Sequence, residues 1–283
     1  MLHELTVKEA KEIERRVKTC ERAIFSPTTA TVDPVPVVNA TKADAVKEGV
    51  EILCGVRYLS RRGLVVRTSS DSYQAGYVVN AAGLYADKIA RDFGFSDRYR
   101  ILPFKGLYLY SEEPPGAIRT NIYPVPELRN PFLGVHFTVT VTGRVKIGPT
   151  AIPALSRENY GGIRDLKWSE FLEILIRSFG LLALSNFDFK RLAIEEVAKY
   201  SRAKIISLAG ALVEGIDAEH FQNWGQPGIR AQLLDLRRRK LEMDFVIEGD
   251  NQSMHVLNAV SPAFTGSLPF AKYVCERIRA SLN

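Results

Sequence analysis

The sequence contains few of the residues that form disulfide frameworks and metal centres. Its 283 residues include three cysteines and four histidines, which lie far apart in the chain: Cys20, Cys54, Cys275, His3, His136, His220 and His255. This spacing matches neither a zinc-ligand pattern nor a Cys-x-x-Cys redox motif. We therefore expect buried or half-buried thiols in a reducing cytoplasm, and we expect no metal site.

Long apolar runs are also missing, because no segment approaches the roughly 20 apolar residues that a membrane-spanning helix needs. The composition, 46% apolar and 25% charged residues, is typical of a globular protein. The first residues, MLHELTVKEAKEIERR, form a charged amphipathic pattern rather than a signal peptide. We expect a cytoplasmic protein of one large domain or two interleaved domains, without an integral membrane segment.

Positive charge is in moderate excess, with a net charge of +6 and a pI of about 9.2. Such an excess can favour an anionic substrate or cofactor. The dense basic run Arg237-Arg238-Arg239-Lys240 lies between two apolar segments and has no interleaved aromatic residues. It predicts a solvated turn, and we expect no nucleic-acid partner.

Helix-start signals and apolar segments organise the first third of the chain. A capping box at Thr6/Glu9 and a cap followed by proline at Asp33-Pro34 predict two helices, ending near residues 14 and 48. Three β-rich segments then predict strands: VEILCGVRYLS, GLVVRTSS and QAGYVVNAAG. A short helix follows from Leu84 and ends at Gly94. This third therefore has mixed α/β character.

The residue pattern changes in the middle of the chain. Alternating apolar and polar residues between Pro/Gly turns predict antiparallel strands in LPFKGLYLYS, TNIYPVP, FLGVHFTVTV and GRVKIGPTA. Two amphipathic stretches, KWSEFLEILIRSFGLLAL and FKRLAIEEVAKYSRAKIISLAGALV, predict long helices that cover one face of this sheet. Strands return in GIRAQLLD, KLEMDFVIEGD and MHVLNAVS, before a final helix from about Thr265 to Ser281. We predict an α/β plus α+β protein with two interleaved domains.

Three small residues, Ala81, Ala82 and Gly83, end the strand of YVVNAAGLYADKIA. Small side chains let the backbone approach a ligand, and a helix N-terminus beside them suits an anionic group. The alternative is a tight strand-to-helix connection that needs small residues for its own geometry. Both interpretations are open at this point.

A second candidate lies in HVLNAVSPAFTGSLPFAKYVCERI, where a strand turns into the last helix. Thr265 can cap this helix, and Gly266 allows close approach of a ligand. The N–H groups of a helix N-terminus carry partial positive charge, which would stabilise an anionic reduced ring. Simple capping of the helix explains the same residues.

Three polar residues lie in otherwise apolar strands or turns. Arg230, in PGIRAQLL, must bind an anion or point outward, so it is a candidate for a substrate carboxylate or for a structural salt bridge. His136 alternates with Val135 and Phe137, and a neutral imidazole can accept a proton from an alcohol, although a structural histidine fits too. Lys105, in PFKGLY, either lines a cleft or is a surface lysine.

Taken in order, eight segments resemble the FAD-dependent oxidoreductases of the D-amino-acid-oxidase superfamily, and within it the L-2-hydroxyglutarate dehydrogenase/oxidase branch. They are SPTTATVDP (26–34), VVNAAGLYADKIA (78–90), ILPFKGLYLY (101–110), IYPVP (122–126), PFLGVHFT (131–138), GRVKIGPTA (143–151), GIRAQLLD (228–235) and HVLNAVSPAFTGSL (255–268). The resemblance implies an FAD-binding, Rossmann-like domain at 1–97 and 251–283. It implies an antiparallel-sheet substrate domain, covered by helices, at 98–250.

The resemblance also implies roles for individual residues. The cofactor-binding residues would be Val56, Ala81, Ala82, Gly83, Ser261, Pro262, Ala263, Thr265 and Gly266. The substrate side would consist of Arg230, Lys105 and Tyr108, with His136 as the catalytic base. A small 2-hydroxy acid such as L-2-hydroxyglutarate would lose a proton from oxygen and a hydride from carbon to the flavin.

One departure of the sequence from the family pattern is serious. The family begins with a strand–turn–helix that carries G-x-G-x-x-G and holds the cofactor pyrophosphate, and no segment here matches it. We therefore expect an N-terminally truncated flavoenzyme, impaired in FAD binding. The alternatives are a related flavoenzyme for glycerol 3-phosphate or an amino acid, and a non-catalytic remnant or subunit that needs a partner polypeptide for the dinucleotide-binding unit.

Overall fold

The computed structural model describes residues 2–126, 132, 134–161, 165–184, 201–260 and 263–282. The described chain divides into two compact units. Unit 1 comprises Met1–Ile52, Gly106–Ile152 and Arg191–Gly228, and unit 2 comprises Leu53–Lys105, Pro153–Lys190 and Ile229–Asn283. The domain boundaries expected from the sequence separate a cofactor-binding from a substrate-binding part, whereas these two units are defined by contacts. The expected boundaries therefore stay a prediction.

Sixteen strands lie within the described residues. In chain order they are β1 His3–Thr6, β2 Arg22–Phe25, β3 Tyr58–Arg62, β4 Val65–Thr68, β5 Ser72–Gln74, β6 Val78–Asn80, β7 Tyr99–Gly106, β8 Leu109–Tyr110, β9 His136–Val139, β10 Val145–Gly148, β11 Ile152–Pro153, β12 Asn223–Trp224, β13 Gly228–Asp235, β14 Lys240–Leu241, β15 Val246–Gly249 and β16 Ser253–Asn258. The helices of the same residues are α1 Val7–Ile13, α2 Pro34–Lys47, α3 Ala86–Asp92, α4 Trp168–Leu184, α5 Arg202–Ala209 and α6 Ser267–Leu282.

Unit 1 is built on an antiparallel sheet of strand order β12-β8-β10-β9. Alternation places Val145 and Ile147 of β10 in the core together with Phe137 of β9. Helix α5 covers this face with Ile205 and Ala209, which are fully buried. The antiparallel sheet with a helix on its face is therefore confirmed.

The two predicted helix starts in unit 1 are confirmed. Thr6 accepts a hydrogen bond from the N–H of Glu9, and the Glu9 carboxylate accepts one from the N–H of Thr6, which is a complete capping box. Asp33 accepts a hydrogen bond from the N–H of Val35 and caps α2. No residue of α2 is buried, so the start of this helix is set by its cap and not by packing against the core.

Unit 2 contains a three-stranded sheet of order β15-β16-β6, in which β16 runs parallel to β6 and antiparallel to β15. Strand β6 has β16 as its partner among the described residues, so its other side is an edge. Helix α3 packs Ala86 and Ala90 into a core with Leu233 and Leu257. Further strands form sheets of order β11-β7-β13-β14 and β3-β4-β5.

Several expectations from the sequence are wrong in detail. Residues 50–57, in VEILCGVRYLS, are not a strand, and in TNIYPVP only Ile122 forms an isolated bridge, with Phe137. Ser201 has an extended backbone (φ −76°, ψ 122°), so helix α5 begins after it instead of continuing from FKRLAIEEVAKY, which lies outside the described residues.

The cysteines also differ from expectation. Cys20, Cys54 and Cys275 are all exposed, not buried. Cys20 lies in a bend and Cys54 in a turn, and Cys275 lies on the final helix, of which only Val274 is buried. The identity of a residue as cysteine does not decide whether the surface that carries it is covered.

The remaining general expectations concern the basic run, membranes and metals. Residues 236–239 form the exposed turn between β13 and β14, as predicted, with Arg239 at a φ of +53°. No helix in the described part of the chain is long and apolar enough to span a membrane. Among the described residues, no group of three or more His, Cys, Asp or Glu side chains is arranged so that it could hold a metal ion.

Candidate functional site

A groove with a cavity volume of about 740 Å³ opens in unit 2 beside the end of β6. This volume lies within the range of small-molecule sites, roughly 300–1,000 Å³. The lining residues come from β6 and its turn, from the start of β13, from β16 and from α6, and most are apolar: Val79, Ala81, Gly83, Ile229, Arg230, Ala231, Val256, Leu257, Ala259, Val260, Ala263, Ser267, Phe270, Ala271, Val274, Cys275 and Ile278. The fold thus brings together segments that are about 150 residues apart in sequence.

The Ala81–Gly83 turn presents a bare backbone to this groove. Gly83 has a φ of +53°, which side chains rarely adopt, and a Cβ there would meet no heavy atom within 4 Å. Asn80 shapes the turn from inside, because its Oδ1 accepts the N–H of Ala82 at 3.1 Å and its Nδ2 donates to the Ala86 carbonyl at 2.8 Å. The small residues therefore face open space rather than the protein's own side chains.

Not every predicted cofactor residue lines the groove. Ala263 does, and Thr265 and Gly266 lie in the turn before α6. Val56 is half-buried in the loop before β3, apart from the lining residues, and Ala82 is not among them either. Ser261 and Pro262 lie outside the described residues. The cofactor roles of these residues stay predictions.

Arg230 is half-buried in the groove wall, where its guanidinium carries charge into apolar surroundings. Burial lowers the pKa of this guanidinium, which is the desolvation expected for a cation in such a place. Lys105, in the same unit, is only 8% exposed, and its Nζ donates to the carbonyl of Tyr160 at 3.1 Å. Burial lowers its pKa, so the surface-lysine alternative is wrong.

In unit 1, His136 is 7% exposed at the start of β9. Its Nδ1 lies 2.9 Å from the carbonyl of Gly134 and, in the neutral ring, donates to it, which leaves Nε2 as the unprotonated nitrogen. The ring stacks on Tyr123 with 4.3 Å between centroids. Burial, assisted by the charge of Lys146, lowers the pKa of His136, so the imidazole is neutral near pH 7 and can accept a proton.

Lys146 is a candidate that the sequence interpretation missed. It lies on β10 between the buried residues Val145 and Ile147, and its ammonium sits 4.4 Å from the centroid of the Tyr108 ring. Burial lowers the pKa of Lys146 and raises that of the Tyr108 hydroxyl. The available signal was a lysine flanked by two core residues in GRVKIG, because alternation then places its charge on the opposite face from them.

The chain matches the family model described as FAD dependent oxidoreductase (DAO) over residues 2–277. It is 37% identical over 227 residues to the mitochondrial L-2-hydroxyglutarate dehydrogenase of Bos taurus, covering 76% of this chain and 47% of that protein. It is 32% identical over 305 residues to the corresponding enzyme of Nematostella vectensis, covering 97% and 65%. The chain thus spans about half to two-thirds of the length of these curated relatives.

Solved structures share the fold. The FAD-bound L-α-glycerophosphate oxidase of Mycoplasma pneumoniae superposes with a TM-score of 0.71 at 16% identity, covering 98% of this chain and 64% of that one. Glycine oxidase from Geobacillus kaustophilus superposes with a TM-score of 0.58 at 18% identity, covering 98% and 63%. The predicted fold class, a mixed α/β fold with antiparallel sheets, is confirmed.

Proposed function

Because the chain belongs to the family of FAD-dependent oxidoreductases, we propose that it forms part of a flavoenzyme that oxidises a small 2-hydroxy acid. The observation that carries the proposal is the groove in unit 2, where the bare Ala81–Gly83 turn and Arg230 line one cavity. The names of the relatives, L-2-hydroxyglutarate dehydrogenases at 30–37% identity, make L-2-hydroxyglutarate the first substrate to test.

The residues of the groove fit a flavin in shape and differ from what a phosphate requires. The open space above Gly83 and the apolar lining suit close approach of an FAD molecule, whose ADP half would lie against Ala81 and Gly83 and whose flavin ring would lie toward Ala263. A pyrophosphate needs free N–H groups, but the N–H of Ala82 already donates to Asn80. The Ala81–Gly83 turn would therefore supply contact surface for the cofactor, and we propose that another segment binds its phosphates.

The bound flavin would supply the chemistry of hydride acceptance from the substrate carbon. The chain's own residues would bind the substrate and move its proton. Arg230 would hold a carboxylate through the planar fork of its guanidinium, and burial strengthens this interaction because water competes less. In unit 1, the hydrogen bond to Gly134 leaves Nε2 of His136 unprotonated, as a general base for a hydroxyl proton requires, and its catalytic role is a proposal that rests on the family resemblance. The substrate-binding roles of Lys105 and Tyr108 are proposals that rest on the family resemblance.

Exposed apolar surface in unit 2 supports the interpretation that a further segment completes the dinucleotide-binding unit. In unit 2, Val79 of β6 is 50% exposed and Leu268 of α6 is 75% exposed. Strand β6 has a free edge in the described sheet. Such surfaces and edges normally have a partner. We therefore propose that a strand–turn–helix segment, on the same or another polypeptide, covers them and binds the pyrophosphate.

A related substrate is the second candidate, because a carboxylate and a phosphate attract the same arginine. The fold neighbours include a glycerophosphate oxidase and glycine oxidases. Glycerol 3-phosphate and amino acids are therefore the competing substrates. A non-catalytic subunit is the alternative from another class.

The test compares the chain alone with the chain supplied with the dinucleotide-binding segment of a curated relative, which we call the complemented form. We expect yellow flavin absorbance for the complemented form and little for the chain alone. Substrate profiling of the complemented form should then show turnover of L-2-hydroxyglutarate above glycerol 3-phosphate and amino acids. A complemented form that binds FAD and oxidises none of these would favour the non-catalytic alternative.

Arg230→Lys tests the substrate role in the complemented form. Lysine keeps the charge and loses the bidentate fork, so we expect kcat/KM to fall by about tenfold or more while flavin content stays unchanged. Arg67→Lys, on strand β4 with an exposed side chain, is the matched control. Equal loss of flavin and activity would assign Arg230 to structure.

A further inference from the structure

A buried chain of hydrogen bonds connects the β15-β16-β6 sheet of unit 2 to the Ala81–Gly83 turn. Asn80 on β6 and His255 on β16 are paired in register, so their side chains lie on the same face, and they are 4% and 0% exposed. Nδ2 of Asn80 lies 3.1 Å from Nδ1 of His255, and Nε2 of His255 lies 3.0 Å from Oγ of Ser253. Neither His255 nor Asn80 has a role in the proposed function.

The direction of each hydrogen bond follows from the fixed backbone groups at the turn. The N–H of Ala82 can only donate, so it faces Oδ1 of Asn80, and the carbonyl of Ala86 can only accept, so it faces Nδ2. The second hydrogen of Nδ2 then points at Nδ1 of His255, which must be unprotonated. The ring proton therefore sits on Nε2 and is donated to Ser253.

The surroundings of His255 hold it in this neutral form. Its ring contacts those of Phe93 and Phe95, each with 5.0 Å between centroids. Burial is the main cause that lowers the pKa of His255 to about 4, and the charge of Arg61 acts in the same direction while Asp250 opposes it. A protonated Nδ1 would place a donor against the donor of Asn80.

In contrast to the buried His255, the Ala81–Gly83 turn at the other end of this hydrogen-bond chain has few packing contacts. Ala81, Ala82 and Gly83 are all exposed, and a Cβ at Gly83 would meet open space. Among the described residues, side-chain hydrogen bonds reach this turn from Asn80, to the N–H of Ala82 and to the Ala86 carbonyl beyond it, and the N–H of Tyr85 donates to the Ala82 carbonyl at 3.1 Å. Asn80 therefore supplies the side-chain support of this turn, and His255 adds a third hydrogen bond that holds the Asn80 amide in place.

We propose that His255 is a positioning residue, which acts through Asn80 to hold the Ala81–Gly83 turn open toward the groove for the cofactor. The cofactor part of this inference rests on the proposed function. The positioning part concerns the chain by itself, and it can be tested without a flavin.

The first experiment needs no variant. Nitrogen-15 spectra of the histidine side chains in the chain alone, at pH 7, report which ring nitrogen of His255 is protonated. We expect protonation at Nε2 and a bare Nδ1. Protonation at Nδ1 would overturn the proposal, because Asn80 could then not donate to that atom.

The second experiment compares three variants by amide hydrogen exchange. The carbonyl oxygen of asparagine occupies nearly the position of Nδ1, so His255→Asn keeps the acceptor that Asn80 needs, whereas His255→Leu removes it. We expect exchange of the Ala82 amide to become at least tenfold faster in His255→Leu and to stay close to wild type in His255→Asn. Asn80→Asp, which removes the donor to His255, should behave like His255→Leu.

An internal control separates positioning from loss of stability. The N–H of Ala75 donates to the carbonyl of Leu64 at 3.0 Å in the same unit, away from the turn. Its exchange should be unchanged in all three variants. Equal acceleration of Ala75 and Ala82 in His255→Leu would overturn the proposal in favour of general destabilisation, as would an unchanged Ala82.

FAD titration of the complemented form provides the separate readout for the cofactor. We expect His255→Leu to weaken FAD binding at least fivefold and His255→Asn to restore it. A turn that opens in His255→Leu without any change in FAD affinity would overturn the cofactor part of the inference. A complemented wild type that binds no FAD would instead overturn the proposed function, and the exchange data would still decide the positioning role.

Discussion

Two buried histidines, one in each unit, have opposite hydrogen-bond arrangements. His136 in unit 1 donates from Nδ1 to a backbone carbonyl, so its Nε2 stays unprotonated and available. His255 in unit 2 accepts at Nδ1 and donates from Nε2, so both of its nitrogens are used inside the protein. Burial lowers the pKa of both rings. Neutrality alone therefore does not identify a base, and the availability of one nitrogen separates a candidate base from a structural or positioning histidine.

The largest expected effect is on the rate. In the complemented form, His136→Gln should lower kcat by about 10²- to 10⁴-fold, the usual contribution of a general base, with flavin absorbance unchanged. His3→Gln, at an exposed position of the same unit, is the control and should have wild-type kcat. A His136→Gln variant with wild-type kcat would remove the distinction between the two histidines.

The pH dependence of the same rate sharpens the comparison. The pKa of His136 is lowered, so the ring remains an unprotonated base below its ordinary value of about 6.5. We expect kcat to be constant from pH 8 to about 6.5 and to fall only at lower pH. An acidic limb above pH 7 would contradict a desolvated base at this position.

The second-largest expected effect is a loss of folding stability in acid, caused by protonation of His255. Its folded-state pKa of about 4 lies below the unfolded value, so the unfolded chain binds the proton first and stability is lost as pH falls from about 6.5 toward 4. The groups that face this ring are Asp250, Glu248 and Arg61. The expected loss is about 3 kcal/mol at most.

Urea unfolding at pH 7 and at pH 4.5 measures this loss. His255→Asn cannot be protonated, so the difference between the two pH values should be smaller in this variant by about 2–3 kcal/mol. Equal pH dependence in wild type and variant would show that His255 titrates normally in the folded chain.

The smallest effect is a shift in the pKa of His136. Lys146→Met removes a half-buried cation whose charge lowers that pKa, so the His136 pKa should rise toward its ordinary value. Titration of the ring followed by NMR checks this. Arg144→Met, which removes an exposed cation above the Tyr110 ring, should leave the His136 pKa unchanged.

Local chemistry explains which parts of the fold the sequence could predict. The capping box at Thr6 and the cap at Asp33 are complete within a few residues, so both helices form where they were expected. The strand predicted from VEILCGVRYLS forms only from Tyr58, in β3, because the prediction rested on apolar content and residues 50–57 adopt no strand. Likewise, the exposure of Cys275 depends on what covers α6, which its own residues do not encode.

The candidate site divides in the same way. Ala81, Gly83 and Arg230 were recognisable as small or charged residues at the end or in the middle of apolar strands, and they line the groove. His255 was not recognisable, because MHVLNA reads as an ordinary buried strand. Its significance depends on its register with Asn80 across two parallel strands, 175 residues apart in sequence.

The exposed thiol of Cys275 makes the groove accessible to chemical labelling. Its side chain belongs to the groove lining on α6, while Cys20 and Cys54 lie elsewhere on the surface and can be changed to serine. A fluorescent maleimide attached there would report on whatever fills the cavity, whether a dinucleotide or a polypeptide segment. Labelling of this one thiol would thereby report whether the groove is occupied, without any need for enzymatic turnover.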